Sequence, residues 1–438
     1  MLFKKIFFLL IIALVFLAAC KKNTPTIENP VKELLVDTSK INGYWVFTGG
    51  LKNYDNLYFY DHKMLQVNSG DYSDFLVDTE IRNDTLFAGP VRISLKKLTD
   101  DSLVLYGNNS FLRHKRIPLP QTNYGIKTVF PVLLNAMCLD DANNIYGASD
   151  AIIRKYNAKG QAEDLHHDGF SGKKILSMQM DGDDGFLYLT GTEIGRFDVN
   201  NKKFSPIIVR RYENPAPENV HYTNSWATDN IISFCKAPNG DIYFSYSNRV
   251  MKIEKTTGTL STIIGNPNSN SSIFDPEPAS AKSMSLGYVN CMTASKNGDL
   301  YFCDSRSPQS IIFKYTQNGQ VKRVAGNIKS VRTISGDGGI ARNAYVDNIV
   351  SIAVDGEDNI LISSNSGIIR KINANDQIIN TIAGVINSSY NNPTLARGLN
   401  FNNARLSHMA PAKVLSPKAN GDVFFLESTD RFRKIYLR

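Results

Sequence analysis

The sequence lacks the short motifs by which many catalytic sites are identified. It contains no Gly-x-Ser-x-Gly turn for a nucleophilic serine, no His-Glu-x-x-His pair for zinc and no glycine-rich phosphate loop. Its 438 residues include six histidines and five cysteines, and no group of them has the spacing of metal ligands. The sequence therefore predicts no cofactor and gives no direct indication of an enzyme.

Clustered positive charge and long apolar runs are also scarce. The formal net charge is +8, and it falls to +6 without the first 19 residues, which hold two lysines and no acid. No tract of Lys and Arg is present, so the sequence predicts no nucleic-acid partner. No second hydrophobic segment follows residues 1–19, which favours a cleaved signal over a spanning helix.

The long apolar run lies at the N-terminus. Residues 1–19 contain two lysines, then an apolar run, then small residues, which is the order found in secretory signals. The adjoining Leu17-Ala18-Ala19-Cys20 resembles the bacterial lipobox, which implies cleavage before Cys20 and lipidation of that residue. The alternative is an ordinary signal peptide with a cysteine there by chance. With residues 20–37 as a polar tether, we expect a lipid-anchored protein of the bacterial cell envelope, on the periplasmic side or the cell surface.

Internal repeats organise most of the remaining chain. A turn of Asp, Asn and Gly followed by an apolar strand occurs six times, at 140–146, 181–188, 238–243, 296–301, 355–360 and 419–424. Asn-Gly and Asp-Gly tolerate positive φ, so each copy predicts the turn between the first two strands of a repeat. The six copies can be aligned on the apolar residue after the turn, which is Ile145, Leu187, Ile242, Leu300, Ile360 or Val423. In this alignment, the strand before each turn alternates small and large residues, as stacked sheets require. The second copy, with Met178 and Met180, fits this pattern least.

The fifth copy carries the most specific pattern. Between Ser335 and Gly384 it contains Gly336-Asp337-Gly338-Gly339, Ala341, Ala344, the strand Ile368–Ile372 and a closing Ala383-Gly384. This segment resembles an NHL-type β-propeller repeat. The resemblance implies an all-β fold, with a six-bladed β-propeller of four-stranded antiparallel blades over residues 111–438. Because the last blade has three strands before the C-terminus, we expect Phe111–Pro118 (residues 111–118) to complete it.

Residues 38–110 precede the repeats and are also rich in strand-forming residues. The Gly43-Tyr44-Trp45 opening and the segments Asn83–Leu86 and Leu98–Leu105 resemble the short lipocalin-like domains of bacterial lipoproteins. The segment is about half the length of a full eight-stranded lipocalin barrel. We therefore expect a small β-sheet or partial barrel. The alternative is an irregular extra blade or a segment packed on the propeller.

The candidate binding residues lie in long connections between predicted blades, at 205–230, 265–287, 326–347 and 384–412. Connections of this kind emerge on one face of a propeller, and loops on a rigid scaffold often carry binding residues. Arg and aromatic side chains on such a face suit sugars or an extended peptide. The alternative is that they fasten the loops to the scaffold. The predicted ligand-binding residues are Arg210, Arg211, Tyr212, His221, Tyr222, Trp226, Tyr345, Tyr390, Arg397 and Arg405.

Two functions follow from these patterns. The first is a lipid-anchored extracytoplasmic binding or scaffold protein whose propeller face recognises a protein, peptide or glycan. The second is a propeller lyase or hydrolase that acts on an extracellular substrate with a metal held by loop histidines, from His166, His167, His221 and His408. No histidine lies on a predicted innermost strand, which favours the first function. Cys291 and Cys303 lie across one predicted hairpin and could form a disulfide, or they could serve as small core residues.

Overall fold

The computed structural model has an all-β fold. It describes residues 38–49, 56–60, 62–67, 75–107, 109–117, 123–149, 152–166, 174–209, 220–221, 231–246, 248–266, 279–306, 309–327, 334–384, 409, 411–427 and 431–437. The strands divide between two compact units, one up to residue 120 and the other from residue 121. The described helical segments are the short 3₁₀ turns Thr38–Ile41, Ala281–Ser283 and Ala341–Asn343. Among the described residues, no helix is long and apolar enough to span a membrane.

The first unit contains a closed barrel of eight antiparallel strands. They are β1 (Gly43–Gly49), β2 (Asn56–Tyr60), β3 (Lys63–Val67), β4 (Phe75–Arg82), β5 (Thr85–Ala88), β6 (Val91–Leu98), β7 (Ser102–Gly107) and β8 (Ser110–Ile117). Neighbours in the chain are neighbours in the barrel, and β1 also pairs with β8. The strands thus close on themselves, where the sequence predicts a small sheet or partial barrel.

Strand β8 corrects the prediction that residues 111–118 complete the last propeller blade. The segment pairs with β7 on one side and β1 on the other, with Tyr44 opposite Ile117. Its side chains alternate, since Leu112 and His114 are buried while Phe111 and Arg113 are exposed. Such alternation suits a strand with one face in a core and one in water, and the barrel provides both faces.

A tryptophan joins the first and last strands of the barrel. Trp45 is fully buried, and its indole Nε1 donates to the carbonyl oxygen of Ile41 at 2.8 Å. The guanidinium of Arg116 lies 4.5 Å from the ring centre and also donates to the carbonyl of Lys40. A cation over the face of an indole is attracted by the ring quadrupole, and the attraction is stronger where water is excluded. This contact connects β1, β8 and the 3₁₀ turn before β1.

The second unit consists of six antiparallel sheets among the described residues. Sheet 1 is β10 (Ala136–Leu139), β11 (Ile145–Ser149), β12 (Ile152–Tyr156) and β13 (Ala162–His166); sheet 2 is β14 (Ser177–Met180), β15 (Gly185–Leu189), β16 (Glu193–Asp198) and β17 (Lys203–Val209); sheet 3 is β18 (Val220–His221), β19 (Ile231–Lys236), β20 (Ile242–Tyr246), β21 (Arg249–Ile253) and β22 (Thr259–Ile264). Sheet 4 is β23 (Ala279–Ser280), β24 (Tyr288–Ala294), β25 (Leu300–Arg306), β26 (Gln309–Tyr315) and β27 (Gln320–Ala325); sheet 5 is β28 (Gly339–Ile340), β29 (Ile349–Val354), β30 (Ile360–Ser364), β31 (Ile369–Ile372) and β32 (Ile378–Ala383); sheet 6 is β33 (Ala412–Pro417), β34 (Val423–Glu427), β35 (Arg431–Leu437) and β9 (Tyr124–Pro131).

The sheets follow one another in a cycle. Strands β10, β14, β19, β24, β29 and β33, one from each sheet, lie against one another in this order, and β33 lies against β10. Apolar clusters fill the spaces between neighbouring sheets, as where Cys291 and Cys303 of sheet 4 pack with Ile349 and Ile352 of sheet 5. This arrangement of multiple four-stranded antiparallel cores is consistent with a β-propeller.

Positive φ angles confirm the predicted turns between first and second strands. The angles are 63° at Asn143, 79° at Gly182, 91° at Gly240, 82° at Gly298, 62° at Asp358 and 83° at Gly421. Each of the six sheets therefore has one residue in the left-handed region within this turn, where Gly, Asn and Asp are tolerated best.

Sheet 2 departs from the predicted alignment by one residue. Met180 pairs with Phe186, so Phe186 rather than Leu187 occupies the position of Ile145 in sheet 1. All five residues of β15 are buried, so the sequence pattern there does not distinguish one phase from the next. The corrected alignment places Met178 at the position of large residues, and it explains why this copy fits the prediction poorly.

Sheet 6 is completed by β9, which precedes the first sheet in the chain. Tyr124 pairs with Leu437, and Phe130 pairs with Phe432 at a ring distance of 5.4 Å. A strand before the first repeat therefore completes the last sheet, as predicted. That strand is β9 and not residues 111–118, so the predicted position is wrong. Phe130 also stacks on Tyr156 of sheet 1 at 5.7 Å, which links sheets 6 and 1.

Candidate functional site

The long connections between sheets leave from one edge of each sheet. Sheet 5 shows this edge: Ile349 at the start of β29 pairs with Ser364, and Ile369 at the start of β31 pairs with Ala383 at the end of β32. We call this end of the strands the connection edge. We call the opposite end of the strands, where the short hairpin turns lie, the turn edge. Because the strands are antiparallel, chain entry and exit both occur at the connection edge. The candidate site is this edge.

Arg370 fixes the Gly/Asp-rich segment to the connection edge of sheet 5. Its guanidinium donates to Asp337 Oδ1 at 2.7 and 3.1 Å, to the Ser335 carbonyl at 3.0 Å and to the Tyr345 carbonyl at 3.1 Å. Thr381 Oγ1 donates to the same Asp337 oxygen at 3.1 Å. Arg370 is 4% exposed, and charge-assisted hydrogen bonds are strong where water is excluded. The GDGG-type segment therefore belongs to the architecture of this repeat.

A second set of contacts ties consecutive sheets together through the 3₁₀ turns. The amide of Gly326, after sheet 4, donates to the Ala341 carbonyl at 3.1 Å, and Asn327 donates to the Ala344 carbonyl at 2.8 Å. Sheet 3 repeats the pattern, with Gly265 donating to Ala281 at 3.0 Å and Asn266 to Met284 at 2.8 Å. The entries to these two connections are thus anchored by backbone hydrogen bonds, which satisfy polar backbone groups beyond the last strand of each sheet.

A buried ion pair takes the corresponding place in sheet 6. Arg433 occupies the position of Arg370, and its Nη1 donates to Glu427 Oε2 at 3.0 Å. Both side chains are fully buried. Burial lowers the pKa of Arg433, and the adjacent Glu427 carboxylate opposes that shift. The repeated Arg-Lys pair of the third strands, seen at Arg370-Lys371 and Arg433-Lys434, is the sequence signal that marks both arginines.

Aspartates of the turn edge form ion pairs in sheets 2 to 6. In sheets 3 to 6 a turn aspartate meets a lysine of the third strand, at 3.6 Å in Asp241–Lys252, 2.6 Å in Asp299–Lys314, 3.0 Å in Asp355–Lys371 and 2.7 Å in Asp422–Lys434. In sheet 2, Asp181 contacts Arg196 of its own sheet at 2.7 Å and Lys236 of sheet 3. With Met180 paired to Phe186, the Asp181–Gly185 segment is the predicted hairpin turn, and these contacts hold it.

Asp181 makes the stability of this contact depend on pH. Burial raises the pKa of Asp181, but hydrogen bonds from Lys236 and Arg196 outweigh it, so the net pKa is lowered. A carboxyl whose pKa is lower in the folded state stabilises the fold above its unfolded value near 4, and this stabilisation is lost as pH falls through the folded pKa. We expect Asp181→Asn to cost about 1–2 kcal/mol at pH 7 and progressively less below pH ~4. Urea unfolding across pH measures this, and Asp183→Asn in the same turn is the control; a cost that does not change with pH would contradict the assignment.

The predicted ligand-binding residues are described only in part. Tyr345 is 4% exposed, and its carbonyl is held by Arg370. His221 lies in the two-residue strand β18, opposite Thr259, and only its backbone is described. The remaining predicted residues lie outside the described part of the chain: Arg210, Arg211, Tyr212, Tyr222, Trp226, Tyr390, Arg397 and Arg405. Cys20 also lies outside it.

The metal and thiol hypotheses can be compared with the residues in place. Within the described ranges, no group of three His, Cys, Asp or Glu side chains could hold a metal ion. His166 packs edge-on against Phe204 at 4.9 Å, while His167 and His408 lie outside those ranges. Cys291 and Cys303 stand opposite each other as buried free thiols. Burial raises the pKa of Cys138 and Cys235 well above the usual thiol value, which suppresses thiolate chemistry at neutral pH.

Two small clefts occur among the described residues of the second unit. One lies at the connection edge of sheet 5, beside Ile334, Ser364 and Arg370. The other lies at the turn edges of sheets 5 and 6, beside Lys371 and Lys418. Each has room for about one water molecule.

Comparison with known proteins gives a fold but no family. No family model matches the chain, and no curated protein matches its sequence. An auxiliary nutrient binding protein from Bacteroides thetaiotaomicron has a TM-score of 0.51 at 10% identity, covering 90% of this chain and 98% of that one. A gluconolactonase from Xanthomonas campestris has a TM-score of 0.44 at 11% identity, covering 77% and 90% of the two chains. A nidogen/laminin complex has a TM-score of 0.41 at 8% identity, with coverages of 69% and 85%. At these identities, the likeness to the first protein shows a shared fold alone.

Proposed function

We propose that this chain is a lipid-anchored extracytoplasmic binding or scaffold protein. In this proposal Cys20 carries the lipid, a lipocalin-like barrel follows the tether, and a six-bladed NHL-like propeller presents its connection edges to a protein, peptide or glycan. The observation that carries the proposal is the connection edge: backbone hydrogen bonds anchor two of the long segments there, and the sequences of the long segments together contain several Arg and aromatic residues.

Two buried arginines of this edge belong to the scaffold. Arg370 is held by Asp337 and backbone carbonyls, and Arg433 by Glu427. Both arginines therefore have structural partners in the scaffold. Recognition by the connections then depends on contacts of aromatic rings and Arg with a ligand, in the way that loop paratopes bind. The name of the Bacteroides protein, a nutrient binding protein, is compatible with this function.

The barrel supports the lipocalin-like part of the proposal. The Gly43-Tyr44-Trp45 sequence that suggests the resemblance places Trp45 under Arg116, against the 3₁₀ turn. Apolar side chains fill the described interior, among them Leu86, Leu103 and Leu105. This packing supports a structural role for the barrel between tether and propeller.

Lipidation is tested on Cys20 directly. The full-length gene is expressed in a bacterium with labelled palmitate, and the membrane fraction is compared between the natural chain and Cys20→Ser. We expect label and membrane association in the natural chain and their loss in the variant. A labelled Cys20→Ser chain, or an unlabelled natural chain that is nevertheless exported and cleaved, would contradict the anchor.

Ligand recognition is tested with the mature chain on glycan arrays and peptide libraries. We expect a bound class whose signal falls at least tenfold in Arg397→Ala/Arg405→Ala, because arginine is enriched among the few interface residues whose removal costs about 2 kcal/mol or more. Lys159→Ala/Lys202→Ala removes two exposed cations from turn-edge hairpins and is the matched control. Equal losses in both double variants would indicate binding by net charge and would refute recognition at the connection edge.

A further inference from the structure

The outer surface of the barrel carries positive charge and aromatic rings that the proposed function does not use. Along β5 to β8 the side chains alternate between core and solvent. The solvent-facing residues include three exposed cations that lie close to three aromatic rings, of which Phe111 is 46% exposed. We call these six residues the cationic–aromatic face: Phe87, Arg92, Lys96, Tyr106, Phe111 and Arg113.

The face has one sign of charge. None of the strands β5, β6, β7 and β8 contains an Asp or Glu. The acids close to them in sequence lie in turns, at Asp84, Asp100 and Asp101, and Asp100 meets Lys40 at 3.4 Å. On β4, Glu80 is paired with Arg82. Charge complementarity therefore calls for an anionic partner.

Strand register brings the rings and cations together. Phe87 pairs with Arg92, and Tyr106 pairs with Phe111. The Arg92 guanidinium lies 5.6 Å from the Phe87 ring centre, and Arg113 lies 5.7 Å from that of Phe111. The Tyr106 and Phe111 rings are 4.8 Å apart, and Lys96 Nζ lies 5.8 Å from the Tyr106 centre. Cations therefore stand beside partly exposed rings, which suits a partner with anionic groups above an apolar layer.

We propose that the cationic–aromatic face docks on the surface of an anionic phospholipid bilayer. Arg92, Lys96 and Arg113 contact lipid phosphates, and Phe111 enters the interfacial region, where aromatic side chains are favoured. The choice of a bilayer over a soluble polyanion rests on the proposed lipid anchor at Cys20. Residues 21–37 span at most ~60 Å when fully extended, so an anchored barrel remains close to the bilayer.

Vesicle binding by the unlipidated mature chain tests this without the anchor. The chain from residue 20, carrying Cys20→Ser, is sedimented with phosphatidylglycerol-containing vesicles and with pure phosphatidylcholine vesicles. We expect binding to the anionic vesicles alone, weakened by added salt. Arg92→Gln/Lys96→Gln/Arg113→Gln should lower the partition coefficient on the order of 100-fold, at about fivefold per cation. Phe111→Ala should also lower the partition coefficient. This effect should persist at high salt, because salt screens the contribution of the charges but not that of the apolar ring.

The matched control removes three exposed lysines of the second unit, in Lys282→Gln/Lys322→Gln/Lys413→Gln. An equal loss in this triple variant would overturn the proposal, because binding would then follow net charge. Absence of binding to anionic vesicles at low salt would also overturn it, as would tighter binding to heparin than to the vesicles. The palmitate and ligand experiments use neither vesicles nor these residues, so the proposed function can fail or hold independently.

Discussion

Replacing Glu427 with alanine is expected to lower the free energy of unfolding of the second unit by about 3–5 kcal/mol. Glu427 and Arg433 are fully buried and joined at 3.0 Å. The alanine variant removes the carboxylate that the buried guanidinium of Arg433 contacts, and removing one partner of a buried ion pair is far more costly than replacing both. Urea unfolding of the variant and the natural protein measures the difference.

Two further variants test whether the loss of stability comes from the buried charge of Arg433 or from the smaller side chain at position 427. Glu427→Leu/Arg433→Met replaces both partners with apolar groups of similar size and should recover most or all of the lost stability. Asp164→Asn breaks the partly exposed Arg154–Asp164 pair of sheet 1 and should cost less than about 1 kcal/mol. A double variant as unstable as Glu427→Ala would show that shape, and not the charge, determines the effect.

Gly326→Ala is expected to cost about 3 kcal/mol or more. Gly326 ends the fourth strand of sheet 4 with φ +101°, and an added Cβ would stand 2.7 Å from the carbonyl oxygen of Ser310. Gly265 and Gly384 end sheets 3 and 5 in the same way, with φ of +101° and +92°. The obstacle is backbone in each case, so a rotated side chain cannot relieve it. Thermal unfolding of the purified variant measures the loss.

Gly319→Ala is the control for the backbone angle alone. Gly319 has φ +80°, but nothing lies within 4 Å of its added Cβ. The variant should therefore lose about 1 kcal/mol, the cost of a left-handed conformation for a residue with a side chain. If the two alanine variants were equally unstable, the contact with Ser310 would be irrelevant, and φ would explain the closing glycines.

Local patterns were sufficient to predict the repeated unit. The turn residues Asn143, Gly182 and Gly240 stand at positive φ because the hairpin geometry itself selects Gly and Asn. The phase of sheet 2 could not be predicted in the same way. Phe186, Leu187, Tyr188 and Leu189 are all buried, so no polar residue marks one face. The register is fixed by the pairing of Phe186 with Met180. The residue pattern of β15 alone does not reveal that pairing.

Non-local pairing limits prediction in the same way at the closing strand. Ser110–Ile117 and Tyr124–Pro131 are both strand-forming segments before the first repeat. Their partners decide their roles: β8 joins β1 in the barrel, and β9 joins β35 in sheet 6. The alternation of Phe111, Leu112 and Arg113 does not identify a partner, because β-propensity describes a strand's surfaces and not its neighbour.

The candidate edge was predictable from loop length, but its anchors were not. Asp337 and Arg370 are 33 positions apart, and the fold brings them to 2.7 Å. The sequence shows only a repeated Arg-Lys pair in the third strands. It does not indicate that Arg370 contacts Asp337 whereas Arg433 contacts Glu427. The aromatic rings and cations of the barrel also become one surface only through the register of β5 to β8.

The pairing of β9 with β35 determines when the second unit can become complete as the chain is made. Because Tyr124 pairs with Leu437, sheet 6 forms only after nearly the whole second unit has been synthesised. Closing so long a loop costs about 5 kcal/mol of chain entropy, which sheets 1 to 5 reduce by folding first. Until then β9 is an unpaired strand edge, open to the β35 segment of a neighbouring molecule. A high local concentration of unfinished chains therefore favours exchange of this strand between copies, and rapid completion of the last seven-residue strand prevents it.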